Sequence, residues 1–141
     1  LFVHAKKMKV VKSFTVEYQF SLKTFRKKFE VLKENLVTTL KQFSHDKIAI
    51  YCPNRALNIL SILEVNDLRI VDDTPAMYNE YYPFFKKRIE NFEDLTKSPP
   101  QLIIIFSVTH GEIIINKCKS NPNLKETKML LISDLYTKED L

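Results

Sequence analysis

The segment Gln101-Leu-Ile-Ile-Ile-Phe-Ser107 sets the strongest limit on what this chain can fold into. Its unbroken apolar run leaves no polar face, so a strand built from it is covered on both sides. Lys47-Ile-Ala-Ile-Tyr-Cys52 is a second run of this kind, and Pro53-Asn54 breaks it. Leu68-Arg-Ile-Val-Asp72 and Lys128-Met-Leu-Leu-Ile132 read as further strands, and Arg88-Ile-Glu90 as a short one. Helical patterns lie between them. Ala56, Ile59, Leu60 and Leu63 recur at helical spacing after Arg55. Asn91 is placed to cap a short helix containing Phe92 and Leu95, which Pro99-Pro100 stops. A last helix starts at Thr109 or His110 and runs through Ile113, Ile114 and Cys118. Strands alternating with helices predict an α/β domain with a small parallel sheet and right-handed crossovers.

The strand order follows from the same patterns. Ile48–Cys52 and Leu102–Phe106 are the most continuously apolar strands, so they are expected side by side at the centre. Leu68–Asp72 then flanks the first and Met129–Ile132 the second. The order reverses between the two central strands, which opens a crevice at their carboxyl ends, where α/β sheets hold ligands.

Two segments precede and interrupt this alternation. Ser21 is expected to cap a long helix reaching Phe43, with Leu22, Phe25, Phe29, Leu32, Leu36, Leu40 and Phe43 as its apolar stripe. Lys23, Arg26, Lys27, Lys33 and Lys41 mostly fall off that stripe, as a solvated face does. Leu1–Lys6 reads as a short edge strand or the last strand of a preceding domain. Residues 74–87 form a loop with Met77, Tyr78, Tyr81, Tyr82, Phe84 and Phe85, whose side chains are expected to be buried.

Composition excludes several classes of function. Gly111 is the only glycine in 141 residues. Phosphate-cradling loops of the P-loop or dinucleotide type need several glycines for tight turns and close backbone approach, so neither is present. Cys52 and Cys118 form no CxxC pair, which leaves no zinc motif or disulfide framework. No apolar run nears the ~20 residues of a membrane span, and the start lacks a signal-peptide pattern. A reduced, cytoplasmic protein without membrane attachment is expected. The net charge of +5 is scattered, with no Lys/Arg tract or aromatic-interleaved motif to specify nucleic acid. An opening at Leu1 rather than methionine points to a piece of a longer protein.

Candidate site residues cluster at the predicted crevice. Cys52, Pro53, Asn54 and Arg55 line one side; Ser107, Thr109 and His110 line the other. Asp72-Asp73 ends a neighbouring strand and has two readings: a carboxylate for a ribose or sugar hydroxyl, or a cap for the loop that follows. Arg55 reads as a phosphate contact or as a surface arginine. His110 reads as a general base or as a structural residue at a helix start. Cys52 reads as a nucleophile or as a buried thiol. No metal cluster and no complete catalytic set is recognisable, so the chain alone is expected to be catalytically inactive.

The ordered set Ile48-Ala-Ile-Tyr-Cys, Arg55-Ala-Leu-Asn-Ile-Leu, Ile70-Val-Asp-Asp-Thr-Pro-Ala-Met, Tyr82-Pro, Ile89-Glu-Asn-Phe-Glu-Asp-Leu, Pro100-Gln-Leu-Ile-Ile-Ile-Phe-Ser and Glu112-Ile-Ile carries a resemblance. It resembles the C-terminal domain of bacterial S-adenosylmethionine-dependent C-methyltransferases that act on nucleotide-linked sugars. The resemblance implies a Rossmann-like three-layer domain that helps hold the nucleotide-sugar. Methyl donor and catalytic groups then belong to the rest of the parent chain, and this chain itself holds no cofactor. It further implies that residues 1–20 end the preceding domain or form an edge strand. Residues 21–141 become the C-terminal domain, with 21–43 as connecting helix. Arg55, Asp72, Asp73 and Tyr82 match positions of the family's nucleotide-sugar loops. Where the family's first loop is glycine-rich, this chain has Tyr51-Cys52-Pro53-Asn54.

Overall fold

A computed structural model describes residues 22–53 and 57–136. Among these residues five strands form one all-parallel sheet: β1 (Ile48–Tyr51), β2 (Arg69–Val71), β3 (Ile89–Glu90), β4 (Leu102–Ile105) and β5 (Lys128–Leu131). The order is β3-β2-β1-β4-β5, with β1 and β4 adjacent as their apolar runs predict. Ile48 stands opposite Leu102 and Tyr51 opposite Ile105 across the central pair, and Ile50 stands opposite Ile70 on the other side. All four residues of β1 and of β4 are buried. Strands buried on both faces need helices on both faces, and both are supplied.

Alternation along the strands sorts the core into two layers. Ile48, Ile50, Ile70, Leu102, Ile104 and Phe106 face one way. They pack against Leu32, Leu36 and Leu40 of the first helix (α1, residues 22–40) and against Ile59 and Leu60 of α2 (Leu57–Ile62). Ala49, Tyr51, Val71, Ile103 and Ile105 face the other way, onto Leu95 of α3 (Phe92–Lys97) and Ile114, Ile115 and Cys118 of α4 (Gly111–Lys119). The result is a Rossmann-like three-layer α/β fold. No helix among the described residues is long and apolar enough to cross a membrane.

Several local expectations hold in detail. The Asn91 side chain accepts a hydrogen bond from the Asp94 N–H at 2.9 Å and caps α3. His110 is the residue before α4. The short strand near Arg88 is β3, at the sheet edge beside β2.

Three expectations need correction. The helix predicted to reach Phe43 ends at residue 40. Lys41 N–H still bonds the Val37 carbonyl, but Gln42 N–H bonds Thr39, the tighter pattern that closes a helix. Phe43 reaches the core from the turn beyond. The amino-terminal part of the stripe is not buried either: Leu22 and Phe25 are exposed. Finally, the aromatics of the 74–87 loop divide. Tyr82 and Phe85 are buried, whereas Tyr78, Tyr81 and Phe84 are exposed. The loop holds itself together through its backbone, with Ile89 N–H bonding Glu80 and Asn79 N–H bonding Ile89, so it needs fewer side-chain anchors than its composition implies. Ser21 and the strand expected at Leu1–Lys6 lie outside the described residues, as do Asn54 and Arg55.

Candidate functional site

The carboxyl ends of β1 and β4 stay joined one residue beyond the strands, where Phe106 N–H bonds the Tyr51 carbonyl at 3.0 Å. The chain then parts. Cys52 turns out of β1 with φ 52°, a left-handed conformation that favours glycine. Its N–H is held by the Val71 carbonyl at 2.9 Å. The turn thus takes a glycine-type backbone path without glycine. Strain of this kind costs a non-glycine residue about 1–2 kcal/mol. Cys52→Gly is therefore expected to leave stability within about 1 kcal/mol of the native chain, while the β-branched Cys52→Val costs about 2 kcal/mol. Chemical denaturation of the two variants checks this; equal stability of the glycine and valine forms would refute it.

Pro53 is buried beside Cys52. Across the crevice, Ser107 Oγ accepts the His110 N–H at 3.0 Å and closes the turn into α4. Thr109 and His110 are exposed there. The described members of both predicted sides, Cys52 and Pro53 against Ser107, Thr109 and His110, thus follow the two adjacent central strands. Cys52 is half-buried, and burial first, then the charges of Asp72 and Asp73, push its thiol up to about 11. A thiol held protonated at neutral pH is a poor nucleophile, which favours the structural reading of this cysteine.

Asp72 and Asp73 turn to different partners. Asp72 is buried, and both of its oxygens are engaged. Oδ1 accepts the Thr74 N–H at 2.8 Å, and Oδ2 accepts the Tyr82 hydroxyl at 3.0 Å. Burial and this bond to Asp72 raise the Tyr82 phenol above its ordinary range. Tyr82 thus serves the loop as Asp72's partner. Asp73 Oδ2 accepts the Tyr51 hydroxyl at 2.6 Å and the Lys117 ammonium at 2.8 Å. Lys117 also lies over the Phe92 ring, 4.1 Å from its centroid. Burial, followed by the Asp73 hydrogen bond, drives the Tyr51 phenol far above its ordinary range.

The Tyr51–Asp73–Lys117 group sits on the α4 side of the carboxyl edge and escapes sequence reasoning. Lys117 follows Tyr51 by 66 residues, and only the register of β1 beside β2 and the docking of α4 bring the three together. At the opposite end of the sheet, His45 Nδ1 and Asp67 Oδ1 are 2.7 Å apart, away from the crevice. Among the described residues no group of three His, Cys, Asp or Glu side chains is arranged to hold a metal ion.

The described residues form a Rossmann-like three-layer α/β domain whose strand order reverses between β1 and β4. No family model, curated protein or solved structure matches the chain.

Proposed function

We propose that this chain is the nucleotide-sugar-binding C-terminal domain of a cytoplasmic S-adenosylmethionine-dependent sugar C-methyltransferase-like protein, and is not catalytic by itself. The observation that supports this most is the β1–β4 reversal combined with the left-handed turn at Cys52. The turn keeps a glycine-type path beside the amino end of α4, and helix amino termini favour anions such as a diphosphate. Ser107, Thr109 and His110 offer polar groups on that side. Methyl transfer also needs a donor site and a base within hydrogen-bond reach of the acceptor. With one glycine the chain has no donor-binding loop of the usual kind, so the donor is assigned to the rest of the parent chain.

Titration calorimetry with a panel of nucleoside diphosphate-sugars, nucleoside diphosphates and S-adenosylmethionine tests this division. Weak binding of the diphosphate ligands is expected, with no uptake of S-adenosylmethionine and no methyl transfer. Donor affinity in the micromolar range or better would overturn it.

A second reading, a non-catalytic interaction or scaffold domain, is favoured by two observations. Both oxygens of Asp72 are spent on the protein's own loop, and Tyr78, Tyr81 and Phe84 stand exposed on that loop. Absence of binding across the whole nucleotide panel would select this reading.

A further inference from the structure

A groove of about 750 Å³ opens on the α1 side of the same carboxyl edge. Its volume falls in the range of small-molecule sites. Phe25 and Phe29 of α1, Phe106 beyond β4, and Tyr136 give it aromatic walls; among the described residues Asn58 of α2 and Lys28 of α1 add polar groups. Phe106 adjoins Ser107 in sequence, which brings the groove to the same carboxyl edge as the proposed diphosphate crevice. The Phe25 and Phe29 rings lie 6.4 Å apart at 23°, close to parallel and stacked one on the other. Phe25 is 66% exposed, so apolar ring surface stands open to water.

Charge points the same way. Among the described residues Lys28 is the one charged member of the lining. Residues 22–29 hold Lys23, Arg26, Lys27 and Lys28 and no acid. None of these four cations has an ion-pair partner among the described residues, whereas Lys33 is paired with Glu30 at 2.7 Å. Aromatic walls with an unneutralised basic border complement a flat ring that carries an anionic tail.

We infer that the groove holds the base of a bound nucleotide, stacked on the exposed ring of Phe25, with its phosphates directed toward the crevice. This rests on the nucleotide-binding reading above and adds where the base sits. Base–aromatic stacking tolerates any base because each has a π-face, so the wall supplies affinity. The Asn58 amide, both donor and acceptor, is placed to favour one base edge over another. An alkyl phosphate is the rival occupant, but it has no use for an exposed ring face or for an amide.

The test uses the full chain with nucleoside diphosphates, inorganic pyrophosphate and dodecyl phosphate as probes. Phe25→Ala is expected to weaken nucleoside diphosphate binding about tenfold, within the range that stacking supplies, and to leave pyrophosphate binding unchanged. Because Phe25 is exposed, this variant should melt with the native chain. The chain has no tryptophan, so Phe25→Trp provides a single reporter. Its emission should be quenched by nucleotide and not by pyrophosphate. Nucleotide binding that Phe25→Ala leaves intact, or a tryptophan signal that nucleotide leaves unmoved, overturns the base placement and spares the nucleotide reading. Tighter binding of dodecyl phosphate than of any nucleotide also overturns the placement. Failure of every nucleotide to bind the native chain overturns both.

Discussion

Replacing Arg69 with alanine should cost this domain about 3 kcal/mol, the scale of breaking a largely buried ion pair by removing one partner. Arg69 leaves β2 on the α3 side and is almost fully enclosed. Its guanidinium grips Glu90 of β3 with both arms, Nε to Oε1 at 2.9 Å and Nη2 to Oε2 at 2.6 Å. The remaining arm donates to the Ser98 carbonyl at 2.6 Å, just past the end of α3. One side chain therefore ties two strands and a helix end. β3 has only two residues, so it has little ladder of its own to hold it at the sheet edge. Alanine leaves the Glu90 carboxylate and the Ser98 carbonyl without this partner, and that orphaning is the main cost. A fall in melting temperature of about 10 °C follows for a chain of this size. The double variant Arg69→Met, Glu90→Leu should recover most of the loss, because it removes both charges and keeps the packing. A loss below about 1 kcal/mol in Arg69→Ala, the range of exposed pairs, would show that the network adds little.

Asp72→Ala should cost about 2–3 kcal/mol. It strips the Thr74 N–H and the Tyr82 hydroxyl of their acceptor at once. Tyr82 is buried, so its hydroxyl loses this bond with little access to water. Asp72→Asn should cost only about 1 kcal/mol. The amide oxygen still accepts the Thr74 N–H, and the amide nitrogen can donate to the tyrosine oxygen. Urea denaturation separates the two variants, and a loss as large for asparagine as for alanine would contradict this account. The pair also protects ligand titrations from misreading. A binding defect seen in Asp72→Ala and absent in Asp72→Asn reports a disturbed 74–87 loop and not a missing ligand contact.

Much of the architecture was determined by sequence alone, because its causes are local. The apolar run of Leu102–Phe106 requires cover on both faces wherever it lies. Its likeness to Ile48–Tyr51 makes these two strands the central pair, and the observed order agrees. Asn91 before Phe92 needs only its own next turn to act as a cap.

Tertiary structure decided the rest. The stripe of α1 runs from Leu22 to Phe43 in sequence, yet only its carboxyl-terminal part meets the sheet. Periodicity shows which face is apolar but not how far a partner extends beneath it. The same limit hid the groove, whose lining comes from α1, α2, the exit of β4 and the final turn. Six aromatic and methionine side chains in the 74–87 loop look alike in sequence. In the folded chain Tyr82, bonded to Asp72, and Phe85 are buried, and Tyr78, Tyr81 and Phe84 are left outside. Asp72 takes Thr74 and Tyr82 on its two oxygens, and the second of these partners comes from ten residues away. Asp73 met Tyr51 and Lys117 through strand register and helix docking. Pattern along a chain records each residue's preference for water or for the interior; which distant group answers a buried hydroxyl or carboxylate is settled only when strands and helices lock in register.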